Sequence, residues 1–362
     1  MTGWHGAPIP PEVRRMARRG GLGGVILTNH NFGSREELIA LTGQLTALAP
    51  ANARPFISAD QEGGPVEHLS PPLPSFPSMT SLGQIDDEDL THRLGAALGE
   101  ELRRVGVNFD LAPVLDVRTS SSNTVVLNRV FGRDAQRVAR HGRALIDGLR
   151  AANVLACAKH FPGHGDTVMD SHVGLPRVPH DLARLDAVEL VPFRACAAAV
   201  PAVMVAHILY TAIDPDAPSS LSRRVVEGLL RDRVGFEGVA ITDDLQMAAI
   251  RRMHPIERAA ELAMRAGNDL LLVAHTPFLA ARAVEHLART AERDSALRAR
   301  LEQANTRINR MRGLLTPPVP PNPFPVDSAG VVREVQRRLA AIPARRGGSG
   351  NGGPMRDPTL QR

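Results

Sequence analysis

The sequence predicts an α/β protein of the (β/α)8 TIM-barrel class, lacking its first strand at the N-terminus. Three observations carry this. Short apolar runs alternate with longer helical patterns, as repeated β-α units around a parallel sheet require. The polar residues that break those runs stand at the C-terminal ends of strands, where a barrel has its mouth. No strand is followed by the GxGxxG turn of an open dinucleotide-binding sheet. A chain of 362 residues has room for a barrel of ~250 residues and additions.

In chain order, the piece before Gly24 reads as a turn (GAPIP) and a helix (PEVRRMARR), with no strand ahead of it. Strands are expected over Gly24–Asn29, Pro55–Asp60, Val107–Val117 (strand, then turn), Val154–His160, Ala202–Tyr210, Val239–Asp244 and Asp269–His275. Between them fall helical patterns near 34–48, 86–105, 134–151, 181–199, 222–233, 255–266 and 277–291. Gly106, Gly235, Gly238 and Gly267 stand at the helix-to-strand turns, where a helix C-cap favours glycine. After residue 314 the character changes. The domain reading is a barrel over 1–315, a proline-rich strap and C-terminal helix over 316–342, and a low-complexity, disordered tail over 343–362.

Composition narrows the function. The net charge of +5 is spread along the chain without a long basic run, which suits a solvated surface and argues against nucleic-acid binding. No run reaches the ~18 apolar residues of a membrane span and the N-terminus has no apolar signal core, so the expected compartment is the cytoplasm. The two cysteines, Cys157 and Cys196, fall in apolar segments and read as reduced core residues. Aromatic residues make up only 3%, so stacking platforms for a long polysaccharide are scarce and a small ligand is expected. Oligomeric state has no readable signal.

The chemistry concentrates in one stretch, KHFPGHGDTVMDSH at 159–172. Lys159 is the only lysine in the chain, a compact point charge where every other long cation is a planar fork. Asp170 and His172, two apart in an extended segment, face the same way. A carboxylate beside an imidazole fixes its tautomer and stabilises the imidazolium, which makes His172 a candidate general acid/base. Gly163, Gly165 and Gly174 suggest a loop that closes over a ligand. His160, His164, Asp166, Asp170 and His172 could also compose a metal site, but Pro162 and Gly163 interrupt the His-x3-His spacing. Asp243-Asp244 ends an apolar strand, where one acid faces inward and the other faces the wall; spacing does not say which. Asp60-Gln61-Glu62-Gly63-Gly64 is a similar acidic strand end. His207 and His275 read as wall-bonded buried histidines.

These residues resemble glycoside hydrolase family 3, specifically its single-domain β-N-acetylhexosaminidases acting on cell-wall fragments. The matching segments are GGVIL at 23–27, ADQEGG at 59–64, GVNFDLAPVLDV at 106–117, NRVFG at 128–132, KHFPGHGDTVMDSHVGLP at 159–176, MVAHILY at 204–210 and ITDDLQM at 241–247. The resemblance implies Asp243 as nucleophile, His172 as acid/base and Asp170 as its partner. It implies that Asp60, Arg129, Lys159 and His160 hold the hydroxyls of a terminal N-acetylglucosamine, with His68 at the position of a sugar-contacting arginine. A retaining mechanism through a glycosyl-aspartate follows, needing no metal or organic cofactor. The partner is a small-molecule glycoside. Three departures stand out: no strand before GAPIP, DQEGGPVEH for the family's DQEGGRVxR, and TNHN at 28–31 for its FxRN. Two alternatives accompany the hydrolase. A phosphorylase is one, because a histidine acid/base repels phosphate less than a carboxylate does. A non-catalytic sugar-binding relative is the other.

Overall fold

The computed structural model describes residues 1–171, 173–316 and 327–343. Seven parallel strands form the central sheet: β1 Gly24–Ile26, β2 Phe56–Ala59, β3 Phe109–Asp110, β4 Leu155–Phe161, β5 Ala202–Val205, β6 Val239–Asp244 and β7 Leu270–Leu272. They pair strictly in chain order. Alternation along each strand divides the apolar residues between two cores. Phe56, Phe109, Leu155, Cys157, Met204 and Ile241 join the inner one. Ile57, Ala156, Ala158, Val203 and Ala240 belong to the larger cluster shared with the helices. Both cysteines are free and buried.

The expectation of a missing first strand needs correction. Thr2 makes parallel bridges to both Val25 of β1 and Val273 just beyond β7. Thr2 N donates to Gly24 O at 3.1 Å, Ile26 N to Thr2 O at 3.1 Å and Gly3 N to Val273 O at 3.3 Å. Three residues ahead of the GAPIP turn thus join the two edges of the sheet. The reading missed them because MTG carries no apolar run.

The helices are α1 Pro11–Arg18, α2 Arg35–Leu48, α3 Met79–Ile85, α4 Glu88–Arg104, α5 Ala135–Ala151, α6 Leu182–Ala187, α7 Leu190–Cys196, α8 Ala248–Arg251, α9 Ile256–Ala266, α10 Pro277–Arg293, α11 Ser295–Arg312 and α12 Ser328–Ala340. Their starts follow from capping: the side chains of Ser34, Asp87, Asp134 and Asp294 accept the backbone N–H three residues on. The pattern at 181–199 is two helices, since Pro192 cannot donate to the carbonyl of Val188 and the first helix stops there. The 222–233 pattern is a π-helix, Arg224–Arg233. Gly106, Gly235 and Gly267 have positive φ as expected. Gly238 does not; a Cβ there would lie 2.5 Å from Pro201 O, so close packing explains it.

Three helices were not anticipated: α3, the single turn α8, and α11. Helix α11 crosses the N-terminal ends of the strands. Its Ile308 and Met311 join the inner core, and Arg312 Nη2 reaches Leu22 O at 3.4 Å. The C-terminal helix α12 docks on α4 through Arg93–Glu334 at 2.8 Å and through Arg338–Asp87. Most of the predicted strap, 317–326, and the tail beyond 343 lie outside the described residues.

Candidate active site

The mouth is built at the C-terminal ends of β2, β3, β4 and β6. In β4 the pairing with β5 shifts between Ala158 and Phe161, so one extra residue is accommodated there. Such a bulge breaks strict alternation. It explains how consecutive residues, Lys159 and His160, are both buried polar groups with partners in the same mouth.

Lys159 is 2% exposed, and its Nζ donates to Asp60 Oδ1 at 2.5 Å and contacts Glu62 Oε1 at 2.6 Å. Arg129 Nε and Nη2 donate to Glu62 Oε2 and Oε1 at 2.8 and 2.7 Å, a bidentate fork. Burial would raise the Glu62 carboxyl, but Arg129 and Lys159 together hold it far below the usual carboxylate range. Those partners also keep Lys159 and Arg129 protonated against their own burial.

A second layer surrounds Asp116. Its Oδ2 lies 2.7 Å from His160 Nδ1, and its Oδ1 accepts the backbone N–H of His160 at 3.3 Å and of His164 at 2.6 Å. Burial would raise Asp116, but His160 and His164 hold it below the usual range. As an anion it acts as acceptor, so His160 Nδ1 carries a proton toward it; His160 Nε2 lies 3.5 Å from Arg129 Nη2. His164 is pushed down to about 4, first by burial and then by His160, so it is neutral near pH 7. Its Nδ1 pairs with Thr167 Oγ1 at 2.6 Å and its Nε2 lies 3.4 Å from Ser171 Oγ.

At the end of β6 the two acids differ. Asp244 is buried and accepts from Ala274 N at 2.9 Å and Gln246 N at 3.1 Å, which ties it to the wall. Burial pushes it up to about 6. Asp243 is less buried, and its charge is felt at His164 and at Cys157 inside the barrel. Among the described residues, no group of three His, Cys, Asp or Glu side chains converges as a metal site.

The family comparison follows from these same segments. The profile of the glycosyl hydrolase family 3 N terminal domain matches residues 8–311. The chain belongs to glycoside hydrolase family 3. The beta-hexosaminidase of Alkalilimnicola ehrlichii is 38% identical over 296 residues, covering 79% of this chain and 83% of the relative. That of Bordetella parapertussis is 38% identical over the same span and is covered to 82%. Among solved structures, a family 3 beta-N-acetylglucosaminidase from Paenibacillus sp. str. FPU-7 superposes with a TM-score of 0.86 at 34% identity, covering 94% of this chain and 67% of that one. NagZ from Neisseria gonorrhoeae, in complex with N-trifluoroacetyl-D-glucosamine, superposes at 0.75 with 28% identity, covering 94% and 96%. This family 3 chain is therefore a glycoside hydrolase.

Of the residues expected at the site, Asp60, Arg129, Lys159 and His160 form one connected cluster with Glu62 and Asp116. His68 is half-buried at the end of the short ribbon Gln61–Gly63/Val66–Glu67, and its backbone N donates to Asp60 O at 3.1 Å. His172 lies outside the described residues. Asp170 does not start an extended segment: its carbonyl accepts from Val173 N at 3.0 Å and Gly174 N at 3.1 Å, so the backbone turns. Two of the loop glycines also meet close packing. A Cβ on Gly165 would sit 1.8 Å from Val117 O, and one on Gly163 would meet Glu189. His180 Nε2 and Asp166 Oδ2 pair at 2.7 Å and tie residues 166 and 180 across the segment between them. His207 is wall-bonded as expected, to Ser220 Oγ at 2.7 Å and Asp244 O at 2.9 Å; His275 also meets the wall, its Nε2 3.3 Å from Asp244 Oδ2, but is exposed rather than buried.

Sequence reasoning passed over Glu62, Asp116 and His164 as site residues. The signal was present for all three, as strand-end or loop polar groups. Their side-chain partners are distant in sequence, or, for His164, drawn from its own loop, and single-residue inspection does not pair them.

Proposed function

We propose that this family 3 hydrolase releases terminal β-linked N-acetylglucosamine from small cell-wall-derived glycosides with retention of configuration. The observation that carries the reading is the Asp60–Lys159–Glu62–Arg129 network at the mouth, in the same sheet whose strand β6 carries Asp243 at its C-terminal end. Such a network presents fixed donors and acceptors to sugar hydroxyls, and Asp243 supplies the carboxylate that meets the anomeric carbon. The relatives' names, beta-hexosaminidase and beta-N-acetylglucosaminidase, support the same substrate.

In the first step Asp243 attacks the anomeric carbon while His172 gives its proton to the departing glycosidic oxygen. Asp170 steadies the imidazole that carries that proton. The sugar stays bound as an ester of Asp243. In the second step His172 takes a proton from water, and the resulting hydroxide displaces Asp243. Asp60, Lys159, His160, Arg129 and His68 hold the sugar through both steps.

The test is hydrolysis of a chromogenic β-N-acetylglucosaminide by the full chain. Asp243→Ala and His172→Ala are each expected to lose ~10³-fold or more in kcat/KM. Undiminished rates in both variants overturn the assignment. Sugar-1-phosphate formed on adding phosphate makes the chain a phosphorylase instead. Measurable N-acetylglucosamine binding without turnover makes it a non-catalytic binder.

A further inference from the structure

Asp110 ends β3, between the two strands that carry the cation network, and its side chain is fully buried. Its Oδ1 accepts Gln61 N at 3.1 Å. Its Oδ2 is buried with no hydrogen-bond partner among the described residues. Both neighbouring strands present charge or a thiol to it: Asp60 and Glu62 follow β2, and Lys159 and Cys157 lie on β4. The cations near it are already taken. Lys159 is shared between Asp60 and Glu62, and Arg129 forks onto Glu62. An ionised Asp110 would be a third anion beside these two, with one neutral donor and one bare oxygen. Burying an unpaired carboxylate costs far more than burying its protonated form.

We propose that Asp110 is a neutral carboxylic acid that acts as a positioning residue, its Oδ1 fixing Gln61 between the two anions that grip Lys159. Burial drives this carboxyl well above the ordinary carboxylate range in spite of Lys159. Neutrality has a consequence at the mouth. Lys159 has three N–H donors and two partners among the described residues. With Asp110 uncharged, the remaining donor is not drawn away from the pocket. The functional half of this inference, that this donor serves the sugar, rests on the proposed hydrolase reading; the protonation state does not.

Difference infrared spectroscopy of the wild-type chain against Asp110→Asn at pH 7 tests the state directly. The expected result is loss of one protonated-carboxyl C=O band with no loss of carboxylate bands. Loss of carboxylate bands overturns the proposal, whatever the chain hydrolyses. The positioning role is tested with chromogenic substrate. Asn keeps the Oδ1 acceptor without charge, so Asp110→Asn is expected within about threefold of wild type in kcat/KM. Asp110→Ala strands the Gln61 N–H and is expected to fall at least about tenfold below Asp110→Asn. Asn failing as badly as Ala overturns the role. Should Asp110→Ala not fold, Asp110→Asn still decides, because strong impairment of a variant that keeps the Oδ1 acceptor overturns the role.

Discussion

Two buried titratable groups near the mouth pull stability in opposite directions. His164 is held at about 4 against an ordinary 6.5. Below 6.5 the unfolded chain binds a proton that the folded chain refuses, so this histidine makes stability rise with pH between about 4 and 6.5. Asp244 is raised to about 6 from 3.8. Between those values the folded chain keeps a proton that the unfolded chain releases, so stability falls as pH rises. Each effect amounts to about 3 kcal/mol over its window, and in the wild-type chain they nearly cancel. Asp244→Asn is expected to steepen the rise of unfolding free energy from pH 4 to 6.5. His164→Asn is expected to turn it into a decline from pH 4 to 6. Urea titrations across that range check both, and slopes unchanged from wild type would refute the two placements.

At the scale of elements, the strongest anchor is Asp269 at the foot of β7. It is fully buried, accepts Ala240 N at 3.0 Å, and receives Arg231 of the π-helix at 2.6 Å, Arg307 of α11 at 3.1 Å and Arg300 of α11. Removing it leaves three guanidinium groups facing one another. Asp269→Ala is expected to cost about 3–5 kcal/mol, measured by denaturant unfolding; a cost under about 1 kcal/mol would mean the arginines find other partners. The helix that depends on this anchor was passed over in the sequence although its signal is there. Leu297, Leu301, Ala304, Ile308 and Met311 of α11 recur at 4-3-4-3 spacing and form its packed stripe, but the arginines crowded between them make the segment polar on average. The strands were legible because apolar runs are required on both faces of a covered parallel sheet. Their ends were less so. Val107–Val117 keeps only Phe109–Asp110 as strand, followed by a single bridge from Val114 to Lys159. The acids and histidines of the mouth were legible as strand-end polar groups. Which of them touch was not, since Asp116 meets His160 and Lys159 meets Glu62 only through the folded register.

At the scale of the whole molecule, the ring of strands depends on a close approach at its seam. A Cβ on Gly3 would lie 2.2 Å from Ala274 O and 2.9 Å from Ile26 Cγ2. Gly3→Ala therefore pushes apart the two edges that Thr2 joins. A loss of about 1–3 kcal/mol is expected from such overpacking. Faster amide exchange should appear at Ile26 and Val273, whose N–H groups bond to Thr2 and Met1. Exchange unchanged at both would show that the seam carries little of the stability. Among the described residues no helix is long and apolar enough to cross a membrane.

Ile308 and Met311 pack into the inner core with the strand residues, so among the described residues the interior is filled with side chains and holds no passage through it. In the reaction proposed above, everything that enters must leave by the same opening. The aglycone has to depart before water can reach the ester, and the freed sugar has to depart last. Release in that order makes N-acetylglucosamine a competitive inhibitor of the next turnover.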